Sequence, residues 1–238
     1  MADAPSSEEV RHRLAEVRAK RGYLLPHHGL LAIAAPELLA AYDATYTALT
    51  LTPRRLSAHD KEFVWLAILV ATDEALASHH IAKFRDAGGT DGAIELAVRL
   101  AGHAAAAPRY AFPAEHWQRH LPNYDRAHAY RAGLAALTAG SAIAPGLIEM
   151  AMAAAQICRR GWWELAEHIK AAYGIGVAEL DLAEAIQLTM FPASVPNFVE
   201  ACGIWRDLIA SGAVVASPVF KLWAETPGQG GFDEVSRR

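Results

Sequence analysis

The chain has 238 residues, 53% of them hydrophobic and 20% charged, so it can bury a sizeable core and is neither a disordered chain nor a solvated filament. Its net charge of −4, from 22 basic and 26 acidic residues with neither sign gathered into a block, excludes a general nucleic-acid binder. The longest uncharged stretch, Ala132 to Ile148, is interrupted by Gly133, Gly140, Ser141, Pro145 and Gly146 and cannot supply a membrane helix of about 20 residues; without a basic and apolar leader at its start, the chain is expected in the cytoplasm.

Ala, Leu and Glu dominate, and Gly, Pro and capping residues recur at helical intervals, which predicts an all-α fold. Ser6 or Ser7 caps a first helix over Glu8 to Arg21, whose acidic start and basic end suit the helix dipole. His27 and His28 fall in a loop, and a second helix runs from Pro36 to about Leu49. Ser57 and Asp60 form an approximate capping box before the apolar run Phe63 to Val70, which predicts a central buried helix. Further helices are expected over Asp73 to Ala87, Asp91 to about Ala101 after a Thr90 cap, Ala114 to Arg119 beyond Pro108 and Pro113, and Asn123 to Leu137. Thr138 to Gly146 is then a hinge, followed by helices over Pro145 to Cys158 and Trp162 to Tyr173.

The order of features repeats. An apolar helix precedes His80, and Gly88 follows eight residues later; a second apolar helix precedes His168, and Gly176 follows at the same distance. This pattern indicates a tandem duplication: an N-terminal helical extension over 1–24, a first unit over 25–138, a second over 139–212 and a C-terminal arm over 213–238. The arm's apolar Phe220, Leu222 and Trp223 need cover, for which a neighbouring subunit is the expected source.

The stretches Ala35 to Tyr42 and Leu56 to Phe63, then His80 with Gly88, resemble the carboxymuconolactone decarboxylase and alkylhydroperoxidase D superfamily. Glu149, Trp163 to His168 and Gly176 resemble it again, so that the likeness runs over about residues 25 to 212. The resemblance implies two tandem all-α units that assemble into rings, as a trimer forming a pseudo-hexamer or as a dimer. It also implies a cofactor-free lyase or proton-transfer enzyme of aromatic-compound catabolism, acting on a small organic acid or lactone with no nucleic-acid or membrane partner. In the peroxidase branch a CxxC pair precedes the histidine. Here those positions hold Asp73 and Leu76 in the first copy and Gly161 and Glu164 in the second, so the redox pair is missing. The decarboxylase branch has an acidic residue followed by Trp four positions before the histidine; this chain has Glu164 there, with Trp163 before it instead.

Glu164 and His168 stand at i and i+4, within reach on one helical face, and Glu149 falls where the family places a relay glutamate on the preceding helix. Two readings stand: a relay in which Glu164 tunes His168 and Glu149 passes its proton to water, or a partly buried ion pair. The first-copy counterparts are His80, Asp73 on the same helix two turns earlier, and Glu62; this site reads as degraded, with His79 facing solvent. Arg159, Arg160 and Lys170 are candidates for an anion clamp and Trp163 for a pocket wall. His116 and His120 have HxxxH spacing but no third ligand, and no metal or cofactor is expected. Cys158 and Cys202 read as buried thiols; an oxidoreductase would need one of them as nucleophile, and a non-catalytic oligomeric binding protein is the remaining alternative.

Overall fold

The computed structural model describes residues 5–231, and these are all-α, with no strand among them. The chain divides into two compact units, Met1–Pro53 and Arg54–Arg238, so the boundary falls at residue 53 and both Glu–His pairs lie in the second unit. No described helix is long and apolar enough to cross a membrane.

The first unit holds α1 (Ser7–Arg21), α2 (Pro26–Ala34) and α3 (Pro36–Tyr46), the last running into a π-helical turn at Thr47–Leu51. Ser6 and Glu9 cap α1 reciprocally, and Gly22 closes it with φ 82°. Helix α2 replaces the expected loop: Pro26 occupies its first turn, and buried His28 accepts the Leu25 N–H through Nδ1 at 3.0 Å. Val17, Ala32 and Leu39 form a small core, and Arg21 spans it to reach Asp43 at 2.7 Å while lying over the Tyr46 ring.

The second unit is built on α4 (Ala58–Ala71) and α8 (Pro145–Arg159), which pack against each other. Each is buried almost all round, as a helix must be when neighbours cover every face, and Ala151, Ala153, Ala154 and Ala155 let those neighbours approach α8 closely. Around them lie α5 (His79–Asp86), α6 (Asp91–His116), α7 (Arg126–Thr138), α9 (Trp162–Gly174), α10 (Glu179–Gln187), α11 (Val195–Ala210) and α12 (Pro218–Glu225). Ser57, Thr90 and Asp125 cap α4, α6 and α7 through their side chains.

Two expectations are corrected. Helix α6 continues through Pro108 and Pro113: Pro108 sits on the exposed face, while buried Ala104, Ala107 and Ala111 hold the opposite face in the core. The helix drawn from Asp73 begins only at His79, because Asp73 adopts φ 56° in the turn after α4, so Asp73 and His80 do not share a helix. In the C-terminal arm Phe220 and Trp223 pack on the Trp205 ring of α11 at centroid distances of 5.1 and 5.8 Å, while Leu222 stays exposed.

Candidate active site

Helix α8 carries two polar residues in an otherwise apolar run, Glu149 and Gln156, seven positions apart and so two turns along one face. Helix α9 brings His168 alongside, with no accessible surface, and α7 supplies Tyr130 and Arg131. His168 Nδ1 lies 2.7 Å from Glu149 Oε2, and its Nε2 lies 2.7 Å from the Tyr130 hydroxyl. Arg131 donates to both oxygens of Glu149, at 2.8 and 2.6 Å, and Gln156 Nε2 donates to the Tyr130 hydroxyl at 2.9 Å.

These contacts fix the direction of every proton in the chain. Burial acts to raise the Glu149 pKa, but the bonds from His168 and Arg131 outweigh it and hold the carboxyl below its usual range, so Glu149 is an ionised acceptor. His168 Nδ1 therefore carries its hydrogen toward Glu149. Burial also lowers the His168 pKa against the pull of Glu149, which leaves the ring neutral and Nε2 an acceptor for the Tyr130 O–H. Burial pushes the Tyr130 pKa up, so the phenol keeps its proton for that bond. Its oxygen then accepts from Gln156, whose amide is pinned with the nitrogen inward and Oε1 turned away. His103 holds the tyrosine from the other side, stacked at 4.6 Å on its ring.

Gln156 lines a pocket of about 500 Å³ together with Arg159, Arg160, Trp162, Trp163 and Glu164. Glu164 is 2% exposed, and its Oε2, like Gln156 Oε1, is buried without a hydrogen-bond partner. Burial raises the Glu164 pKa, partly offset by Arg126, which lies over the Trp163 ring at 4.9 Å. The two orphan oxygens converge at Gly161, where an added Cβ would stand 2.1 Å from Gln156 Oε1 and 3.0 Å from Glu164 Oε2. Arg160 caps α8 in the left-handed region at φ 60°, a conformation usually left to glycine.

The sequence-derived triad is thus rearranged. Glu149 meets His168, but Tyr130 occupies the imidazole edge expected for Glu164, which lines the neighbouring pocket instead. Arg159, Arg160 and Trp163 line that pocket, whereas Lys170 is exposed, bonded to Glu167, and outside its lining. Spacing gave no signal for Tyr130 and Arg131, which reach the site from another helix; Gln156 was detectable as an uncharged polar residue inside the apolar run of α8.

Glu62 and His80 also form a hydrogen-bonded pair. Glu62 of α4 lies 2.5 Å from His80 Nδ1 of α5, and both side chains are buried. The His80 ring stacks on Trp65 at 4.6 Å, and His79, half-buried rather than facing solvent, lies against it at 4.3 Å. Asp73 and the adjacent Glu74 line a separate pocket of about 430 Å³ with apolar walls from Leu66, Leu69 and Ile94.

Burial pushes the Cys158 thiol up to about 12 and the Cys202 thiol above its ordinary value, the opposite of what a nucleophilic thiolate needs. His116 ends α6, and His120 lies in the turn beyond it, so the two do not share a helical face. Among the described residues no group of three or more His, Cys, Asp or Glu side chains is arranged to hold a metal ion.

No curated protein matches the chain. A solved structure from Ralstonia eutropha JMP134, described as an alkylhydroperoxidase AhpD core and uncharacterized peroxidase-related protein, is similar at 17% identity and a TM-score of 0.49, covering 95% of this chain and 97% of that one. The sequence model of the carboxymuconolactone decarboxylase family matches residues 36–115, a shorter span than the motifs suggested, which includes Glu62 and His80 but neither Glu149 nor His168. The similarity to that family thus runs from the start of α3 almost to the end of α6.

Proposed function

We propose that the protein is a cofactor-free lyase that protonates carbon in a small organic acid or lactone, with the pocket around Glu164 as its active site. The observation that carries this reading is a buried carboxyl group whose pKa is raised and which lines a pocket together with two arginines. Burial that raises its pKa makes such a carboxyl keep its proton to higher pH than an ordinary glutamate does, and a protonated carboxyl can release that proton to a developing carbanion. Arg159 and Arg160 bind the substrate's anionic group, and the indoles of Trp162 and Trp163 cover its body.

For decarboxylation, the bond between the carboxylate carbon and its neighbour breaks, and its electron pair passes into a conjugated carbonyl of the substrate. Carbon dioxide departs, and Glu164 gives its proton to the new carbanion and recovers one from water. His168 is a positioning residue: it is fully enclosed, both its nitrogens are bonded within the protein, and it acts through Tyr130 and Gln156. Thiol peroxidase chemistry is disfavoured by the raised thiol pKa values.

The test is carbon dioxide release from 4-carboxymuconolactone and a panel of lactone acids and β-keto acids, in heavy water to mark the carbon that gains hydrogen. Release by the wild type, and its loss in Glu164→Gln with the fold intact, are expected. Folded protein that releases nothing from any member, or Glu164→Gln that works at the wild-type rate, overturns the proposal.

A further inference from the structure

We infer that the first unit carries an acid-sensitive latch: a proton on His28 expels its ring from between Arg21 and the Leu25 N–H and frees α2 from α1 and α3. The sequence places His28 in the first turn of a nine-residue helix, too short to hold itself in water. Its apolar anchorage is slight. Ala32 is buried with Val17 and Leu39, Leu31 is partly buried against them, and Leu30 and Ile33 are exposed. Polar ties therefore matter to the attachment. Arg13 donates to the Ala32 carbonyl at 2.9 Å. Arg21, whose side chain is 2% exposed, stands 3.1 Å from His28 Nε2 and donates to Asp43 at 2.9 and 2.7 Å, so it joins α1 to both neighbours.

Both contacts of the His28 ring are with donors. The Leu25 N–H meets Nδ1 at 3.0 Å and the Arg21 guanidinium, which has no lone pair to offer, meets Nε2. A neutral imidazole has one lone pair for the two, and a second ring hydrogen leaves none. The surrounding charges act in the same direction. Arg21 of α1, His27 with its ring centroid 4.2 Å away, and Asp43 and Tyr42 of α3 are the charged and titratable groups around the ring. Asp43 is already shared by Lys20 and Arg21, so an imidazolium would be a surplus cation at a residue with no accessible surface. Burial, then the His27 and Arg21 charges, lower the His28 pKa to about 4, with Asp43 acting the other way. A released ring binds its proton near the ordinary 6.5, so the latch holds above that value and lets go as the pH falls toward 4.

The test is hydrogen–deuterium exchange of the whole chain at pH 7.5 and pH 5, corrected for the intrinsic pH dependence of exchange and read over α2, with the His28 ring titrated by NMR in parallel. A ring whose pKa rises from about 4 to 6.5 on release makes opening about 30-fold more populated at pH 5, and protection over α2 should fall by that factor. His28→Gln keeps a side-chain oxygen for the Leu25 N–H but takes no proton, and its α2 protection should change by less than about threefold over the same range. Protection of α2 that is unchanged at pH 5, or an equal loss in His28→Gln, overturns the inference. If that variant does not fold, the ring titration decides: a His28 that stays neutral below pH 5.5 supports the latch, and one that titrates near 6.5 in the folded chain overturns it.

Discussion

Two buried Glu–His pairs occupy comparable positions in the second unit, one joining α4 to α5 and the other α8 to α9, and they end in different surroundings. In the first, the imidazole of His80 stops at the indole of Trp65 and the ring of His79. In the second, Arg131 clamps the carboxylate, and the imidazole passes the polarity on through Tyr130 to Gln156 at the edge of a pocket. The same two-residue motif is thus an interior polar tie in one place and the root of an oriented hydrogen-bond chain in the other. What separates them is the third helix: α7 brings a phenol and a guanidinium to the second pair, and the first meets aromatic rings.

The largest effect expected from breaking this comparison is on stability. Glu149→Ala leaves a guanidinium and an imidazole without their shared partner and should cost about 3 kcal/mol, whereas Glu62→Ala, which strands a single imidazole, should cost roughly 1–2 kcal/mol. Chemical denaturation of both variants measures the difference, and equal losses would show that Arg131 adds nothing to the second pair.

On catalysis, Glu164→Gln should lower carbon dioxide release by about 100-fold or more, as expected for loss of a general acid. His168→Ala should lower it by roughly tenfold, acting through position alone, and His80→Ala should change it less than about threefold. Steady-state rates of the three variants rank the two pairs; a His80→Ala loss as deep as that of Glu164→Gln would move the chemistry to the first pair.

A smaller effect is expected from pH. Burial, with the neighbouring His27 and His80 charges respectively, lowers the pKa of His28 and His79 to about 4 from the ordinary 6.5, and burial moves His168 in the same direction. Between those values the unfolded chain binds more protons than the folded one, so stability is complete above about 6.5 and falls as the pH drops toward 4. Thermal melts should show Tm falling by roughly 5 °C from pH 7 to pH 5, and His79→Asn should recover part of it; a flat profile would contradict the buried neutral state. Least of all, replacing Cys158 and Cys202 together by serine should leave turnover within about twofold of wild type, since burial holds both thiols protonated.

The all-α class, the caps at Ser6, Ser57 and Thr90, the glycine stops at Gly88 and Gly176, and helices α8 and α9 were legible in the sequence, because each is written in local chemistry: a side chain that satisfies a nearby N–H, a residue that tolerates positive φ, an apolar period. So was the proximity of Glu149 to His168, through family spacing. Local rules failed where packing overrode them. Pro108 and Pro113 did not end α6, since its buried alanine face outweighed the missing N–H groups, and Asp73 left its helix for a turn.

The sequence by itself determined the all-α class, several helix caps and which few polar groups lie in apolar runs, since these depend on neighbours within about one turn. Only the tertiary structure decided what those groups do. Glu164 and His168 share a helix and reach for each other on paper, yet Tyr130, brought in by α7 from 38 residues away, takes the imidazole nitrogen and leaves the carboxyl to the pocket. Hydrogen bonds are directional and an imidazole nitrogen offers one lone pair or one hydrogen, so the partner that packing delivers at 2.7 Å settles the assignment.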